Sequence, residues 1–388
     1  MEEELSESSP ATDFLEFLGP DTSATVFTML HDPADLARAA AVSRSWRAFV
    51  ITNQFSKTQC LRLCPEVSTF AHVEVHSSTS SSRTHRDYEV VAGPSAHADD
   101  ERLARDHRVY TCLGHGLFSQ YTARDCIIHC IGASSTDNFP EETIENTLEP
   151  VDRVEMRPSY WSSGGNRDPA APECLIYRLQ ADLCLVDEIK VQPFKAFFQY
   201  GDPIYSANCI RFLMGYPRSP LRPETLVGDD NEGELIDDSN YVWTYTSPEF
   251  PMLQENVLQS FKLPHPVLCI GGVVKVELLG RVQQQAIDGL YYICICHVQI
   301  VGKPLSRELG VAPRGKGVVL TYYPDPRRCG VPRSESLGED GRSKWHGFAS
   351  RFWRSGAARG NRGLLSRLFG APLRIRDEED VSEEEEHP

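Results

Sequence analysis

The sequence of 388 residues lacks any long apolar run: its longest, around 267–276 and 291–301, reach about half of a membrane span, so no transmembrane helix is expected. It also lacks a GxxxxGK(S/T) phosphate loop, a GxSxG elbow and an HExxH helix. Gly114-His115-Gly116 and Gly315-Lys316-Gly317 do not have the flanks of a nucleotide cradle. The start, Met1-Glu2-Glu3-Glu4, has neither a basic region nor an apolar core, so no secretory signal is expected. A net charge of −16 argues against general nucleic-acid binding. Paired CxxC spacing is missing although there are 12 cysteines, which are therefore read as thiols in a reducing compartment. Cys126-x-x-His129-Cys130 and Cys294-x-Cys296-His297 contain ligand types, but they sit in runs rich in Ile and Tyr. There Cys is a small buried hydrophobe, and no metal site or cofactor is expected.

What is present begins near the N-terminus. Residues 18–50 read LGPDTSATVFTMLHDPADLARAAAVSRSWRAFV. Asp32 can cap a helix whose first position is Pro33, where a missing N–H costs nothing, and Asp35 adds a carboxylate where the helix dipole favours one. Leu36, Ala39 or Ala40, Ser43, Trp46 and Val50 then share a face, and a second cap at Ser43 would instead split the run into two short helices. Asn53 or Ser56 can start a further helix that carries Cys60, Leu61 and Leu63 before Pro65 stops it. An amphipathic stripe usually marks a helix packed into a larger core. This unit, taken as residues 11–66, stands alone before a long polar segment, and so few residues bury too little surface to be comfortably stable unaided.

The stretch resembles the F-box, the helical module by which substrate receptors dock onto the Skp-type adaptor of a Skp, cullin and F-box ubiquitin ligase. Leu18 takes the place of the leading Leu in the family's Leu-Pro opening, Val26 and Leu30 resemble apolar positions of the first helix, and Asp35-Leu36 resembles the Asp-Leu that opens the second. Val42 and Trp46 close the motif. Gly19 stands where the family usually has Pro, with Pro20 one place late, and Asp32-Pro33-Ala34 lengthens the usual connection. The resemblance implies a non-catalytic subunit that binds the adaptor, and through it a cullin. Leu18, Pro20, Val26, Leu30, Leu36, Val42 and Trp46 would form or support the adaptor-binding face.

Between 71 and 105 the composition turns to Ser, His and charge, and a mostly disordered linker is expected; its histidines His72, His76, His85 and His97 are spaced too irregularly for a metal site. From about 106, after a short helical stretch, strand-like runs at 126–131, 174–179, 185–191, 210–214, 257–263, 268–279 and 291–301 are separated by Gly, Pro, Asn and Asp clusters. Without intervening helices they point to an antiparallel β-sandwich over 106–302. An acidic, Pro-rich interruption between 215 and 245 reads as a long loop, either a decoration or part of a recognition surface.

A second resemblance lies here. Ala133-Ser134-Ser135, then Ser159-Tyr160-Trp161-Ser162-Ser163-Gly164-Gly165, Leu175-Ile176-Tyr177-Arg178-Leu179, Ile189-Lys190-Val191 and Ile210-Arg211-Phe212 are similar to the discoidin or galactose-binding-like jelly roll, whose loops at one end hold ligands. Tyr160 and Trp161 suit either stacking on a sugar or, more often at such a place, packing beneath the sheet.

The last segment, 303–388, is expected to be a disordered tail. Residues 342–376 hold nine Lys or Arg and no acid, interleaved with aromatics, and 377–386 hold eight acids. The two blocks suit an import signal, an amphipathic anchor or a tail that folds back on itself. The expected whole is an α+β multidomain chain: an acidic start at 1–10, an F-box helical module, a linker, a jelly-roll sandwich and a tail. Its expected role is that of a plant-type F-box substrate receptor in the cytoplasm or nucleus, whose protein target, glycosylated or not, is held by the sandwich. No nucleic acid and no stable membrane association are expected. The competing reading is a stand-alone carbohydrate-binding or scaffold protein built on the jelly roll.

Overall fold

The computed structural model describes residues 13–76, 96–154, 157–219, 236–315 and 317–324. Four short helices come first: α1 (Phe14–Thr28), α2 (Pro33–Ala40), α3 (Arg44–Thr52) and α4 (Phe55–Leu63). Gly19, at φ +71° and ψ 166°, kinks α1 at the residue before Pro20, so its two halves run in different directions. Asp32 caps α2 through Ala34 N at 2.8 Å with Pro33 at its first position. Ser43 caps α3 through Trp46 N at 3.2 Å, so the split of the run is the arrangement adopted. The helix α4 opens from Gln54, a left-handed residue at φ +52°.

These helices enclose their own small core. Phe27 stacks on Phe55 at 5.5 Å and meets Phe49 edge-on at 5.3 Å, and Leu36 and Val50 complete the cluster. Asp13 clamps the start of α1 onto α3: its carboxylate accepts from Trp46 Nε1 at 2.8 Å, from Leu15 N at 3.1 Å and from Ser45 Oγ at 3.0 Å.

After β1 (Phe70–Val75) comes α5 (Ala96–Phe118), whose Val109, Tyr110, Leu113 and Leu117 recur at helical spacing on a buried face. The sandwich is built from β2 (Ile127–Ala133), β3 (Glu173–Leu179), β4 (Leu183–Lys195), β5 (Ala207–Pro217), β6 (Tyr241–Thr246), β7 (Gln259–Ile270), β8 (Val273–Arg281) and β9 (Cys294–Pro304). One sheet runs in the order β6-β5-β8-β3-β2 and the other β7-β4-β9, antiparallel throughout. Leu175, Tyr177, Val186, Ile189, Phe212, Val276 and Val298 interdigitate between them. The final strands, β10 (Leu309–Arg314) and β11 (Gly317–Tyr322), form a hairpin, and β1 joins it in parallel with Phe70 opposite Val318 and Val73 opposite Leu320.

The helices are sealed to the sandwich by a second apolar cluster. Cys60, Cys64 and Val67, with Val109, Leu113 and Leu117 of α5, pack against Leu183 and Leu185 of β4, Leu268 and Ile270 of β7, and Leu305. Side chains alternate along β4: Cys184 and Val186 point into the sandwich, while Leu183 and Leu185 point to the helices. Ser56 Oγ lies 3.1 Å from both His107 Nδ1 and Thr111 Oγ1, which adds polar contacts between α4 and α5.

Three sequence expectations are corrected. Residues 71–75 and 96–105 of the expected linker belong to β1 and α5, because Phe70 and Val73 find partners in a strand far along the chain and α5 needs its first turns to reach the same cluster. The sandwich unit does not end at 302: strands continue to Tyr322 and cover the apolar flank that β1 would leave open. The run 268–279 is two strands, broken at Gly271-Gly272, both with positive φ. The acidic start at 1–10, residues 77–82, the acidic part of the loop at 228–234 and the charged blocks at 342–386 lie outside the described residues. Leu113 is fully buried where α5 meets the sandwich, so Leu113→Ala should lower stability by about 2–5 kcal/mol, read as a drop in the urea midpoint of unfolding.

Candidate functional site: a helical face and an aromatic cavity at opposite poles

The helical module leaves one apolar set uncovered. Phe14 and Phe17 lie one turn apart on the first half of α1, and Val26 and Met29 lie one turn apart at its end. Val42 sits in the turn between α2 and α3. Phe17 is 77% exposed, Met29 66% and Val42 61%, values far from those of core side chains. Of the residues implied by the sequence resemblance, Pro20, Val26 and Val42 are exposed and Leu18 is half-buried. Leu30 and Trp46 are half-buried against the module's own aromatic cluster. Leu36 is corrected: at 3% exposure it is sealed among Phe27, Val50 and Phe55 inside the module, so it supports the face from beneath and cannot touch a partner. Phe14, Phe17 and Met29 were absent from the sequence-based set, although their spacing of three from another apolar residue was a readable signal.

The far end of the sandwich is different. Leu183 at the helical end of β4 and Phe194 at its other end are roughly 36 Å apart along the strand, at about 3.3 Å per residue. Around Phe194 a half-open cavity of about 20 Å³ is lined by Tyr160, Tyr205, Tyr292 and Phe198 with Glu142 and Gln285. Tyr160 stacks on Phe194 at 3.9 Å, and Tyr205 meets Tyr292 edge-on at 6.4 Å. Each tyrosine hydroxyl is committed: Tyr160 donates to Glu142 Oε1 at 2.6 Å, Tyr205 to Gln199 Oε1 at 2.6 Å and Tyr292 to Asp288 Oδ2 at 2.6 Å. Burial pushes the Glu142 carboxyl up to about 7, against the Tyr160 hydrogen bond that favours its charged form.

The turn Ser159 to Gly165 carries this site. Trp161 is wholly buried and donates from Nε1 to the Ser135 carbonyl at 3.0 Å, so it packs beneath the sheet; Tyr160 is buried too but turns its ring to the cavity. Behind the turn, Arg281 donates to the carbonyls of Gly164 at 2.7 Å and Tyr291 at 2.8 Å and to Ser163 Oγ at 3.2 Å, and it pairs with buried Glu173. A Cβ on Gly165 would lie 2.6 Å from the Tyr292 hydroxyl oxygen, so this close approach requires glycine.

The rim of the same end exposes Phe139, Ile287 and Tyr200, the last fully exposed at the tip between β4 and β5. Among the described residues no group of His, Cys, Asp and Glu could hold a metal ion, and the cysteines there are free thiols. No helix among them is long and apolar enough to cross a membrane.

Residues 20–62 match the F-box-like family model. A curated relative, F-box protein At4g00755 of Arabidopsis thaliana, is 45% identical over 322 residues, which cover 81% of this chain and 84% of that protein. The chain therefore belongs to the F-box proteins. Among solved structures, the family 32 carbohydrate-binding module of Clostridium perfringens NanJ in complex with galactose is similar at 11% identity and a TM-score of 0.28, covering 46% of this chain and 99% of that one. Chitosan-binding module 1 of a Paenibacillus chitosanase/glucanase is similar at 10% identity and a TM-score of 0.28, covering 46% of this chain and 92% of that one. At scores this low, the description as a sandwich rests on the strand pairing itself.

Glu142 makes stability depend on pH. Its folded pKa of about 7 lies above the ordinary 4.5, so its contribution is complete below about 4.5 and is lost as the pH rises through about 7. Urea midpoints should fall between pH 5 and pH 8 by the equivalent of about 3 kcal/mol from this group, and Glu142→Gln should remove that part of the slope.

Proposed function

We propose that this protein is the substrate-recognition subunit of a Skp, cullin and F-box ubiquitin ligase. In this reading the exposed face of Phe14, Phe17, Val26, Met29 and Val42, with Leu18 and Pro20 beside it, binds the Skp-type adaptor and through it the cullin. The observation that carries it is the uncovered apolar set on a module whose opposite side is already sealed to the sandwich. Burying such side chains is favourable by about 25 cal/mol per Å² of apolar area, less the cost of association. The target then docks at the far end of the sandwich, where Phe139, Tyr200 and Ile287 stand out from the loops around the cavity. Ubiquitin transfer is the work of the partner subunits, and this chain positions rather than catalyses. Its many buried free thiols suit the cytoplasm or nucleus.

Purified Skp-type adaptor should be captured by the protein, and Met29→Asp combined with Val42→Asp should weaken capture by about tenfold or more, as for central interface side chains. Both positions are exposed, so the thermal melt should hardly move. Unchanged capture by that variant would remove this face from the interaction.

A further inference from the structure

The cavity at the far pole holds more polar capacity than the protein itself satisfies. Glu142 is 6% exposed, and its Oε1 accepts from Tyr160, but its Oε2 has no hydrogen-bond partner among the described residues. Gln285 is as deeply buried and presents its side-chain amide to the cavity lining without a protein partner among them. Asp137 stands at the mouth with a carboxylate that likewise makes no hydrogen bond or ion pair among them. The open lone pairs of Glu142, Gln285 and Asp137 are thus available to a donor from outside.

The charge balance says what kind of partner. Two carboxylates line the cavity and no Lys or Arg does. Arg281, buried behind the Ser159 to Gly165 turn, is already spent on Glu173 and on the carbonyls of Gly164 and Tyr291. Five of the lining residues, Tyr160, Phe194, Phe198, Tyr205 and Tyr292, are aromatic, and aromatic rings attract a cation more than a neutral or anionic group. A metal ion does not suit this lining, because aromatic rings replace the oxygen shell that a hard cation demands.

Size narrows the choice. A cavity of about 20 Å³ admits a group about as large as one water molecule. A primary ammonium has that size, and its three N–H donors match the acceptors available from Glu142, Gln285 and Asp137.

We propose that this cavity receives the ammonium group of a lysine side chain presented by the protein bound at the sandwich's loop end. The inference rests on the reading of that end as the target-binding face and adds the chemistry that the face selects. Tyr160, Phe198 and Tyr205 wall the ammonium, Glu142 and Asp137 neutralise it, and exposed Phe139, Tyr200 and Ile287 meet the flanking apolar surface of the target.

The test uses the purified full chain and a small probe, Nα-acetyl-lysine methylamide, titrated with saturation-transfer NMR. Saturable binding of this probe is expected. Its Nε-acetylated form, which is neutral, and the variants Asp137→Asn and Glu142→Gln should each weaken binding about tenfold, the scale of a lost charge-assisted hydrogen bond. Glu142→Gln keeps an acceptor for the Tyr160 hydroxyl, and Asp137 is exposed, so thermal melts should show both variants folded. Equal binding of the neutral form, unchanged affinity in the folded variants, or saturable binding of D-galactose in place of the lysine probe would overturn the proposal. Because the probe binds without adaptor or target, its failure faults the cavity alone, whereas failed adaptor capture with intact probe binding faults the helical face.

Discussion

The apolar seal between the helices and the outer face of one sheet is the contact on which the rest depends. Leu113 and Leu117 of α5, Cys60 and Cys64 at the end of α4, and Val67 cover Leu183, Leu185, Leu268 and Ile270, and the β1, β10 and β11 strands close the same cluster. Side chains of this kind contribute roughly 1.5–3 kcal/mol each when fully buried. The seal does two things at once. It uses up one side of a helical module too small to stand alone, and it leaves the Phe17, Met29 and Val42 side facing outward. A module on a flexible tether would present the same residues without a fixed direction.

A second constraint acts at the opposite end. Arg281 and Glu173 form a pair that is nearly inaccessible to solvent, and such a pair is tolerated only when its remaining donors and acceptors are met. Here Arg281 reaches the Gly164 and Tyr291 carbonyls, and Glu173 accepts from Ser135 Oγ at 2.8 Å and from Ser134. Five chain segments are tied to one another by this network, and Tyr160 and Tyr292 are held beside it in their positions around the cavity. The polar keystone thus fixes an aromatic site, as the apolar seal fixes a helical one.

Much of the fold was legible in the sequence, and the exceptions have physical reasons. The caps at Asp32 and Ser43 and the strand runs at 174–179 and 210–214 lie where local chemistry puts them, within helices or strands as expected. The continuous apolar runs Leu183-Cys184-Leu185-Val186 and Val267-Leu268-Cys269-Ile270 held a further message: a strand without polar alternation has both faces buried, and something must cover the outer one. Nothing local says that the cover is α5. The parallel pairing of Phe70 with Val318 joins residues that no spacing rule connects, so residues 71–75 read locally as linker. Of the side chains proposed to meet the adaptor, Val26 and Val42 are exposed whereas Leu36 is buried, because a motif records position and not which side of a helix faces the module's own aromatic core. The cavity was legible chiefly through Tyr160, since its other walls come from strand ends and loops far apart in the chain that the sheets bring together.

The proposed function divides the work between two poles of one chain. Hydrogen–deuterium exchange of the full chain with and without purified Skp-type adaptor measures it directly. Slower exchange confined to α1 and the turn around Val42, with the loops that carry Glu142, Tyr200 and Ile287 unchanged, is the predicted result. Protection of those distant loops with α1 unaffected would contradict it.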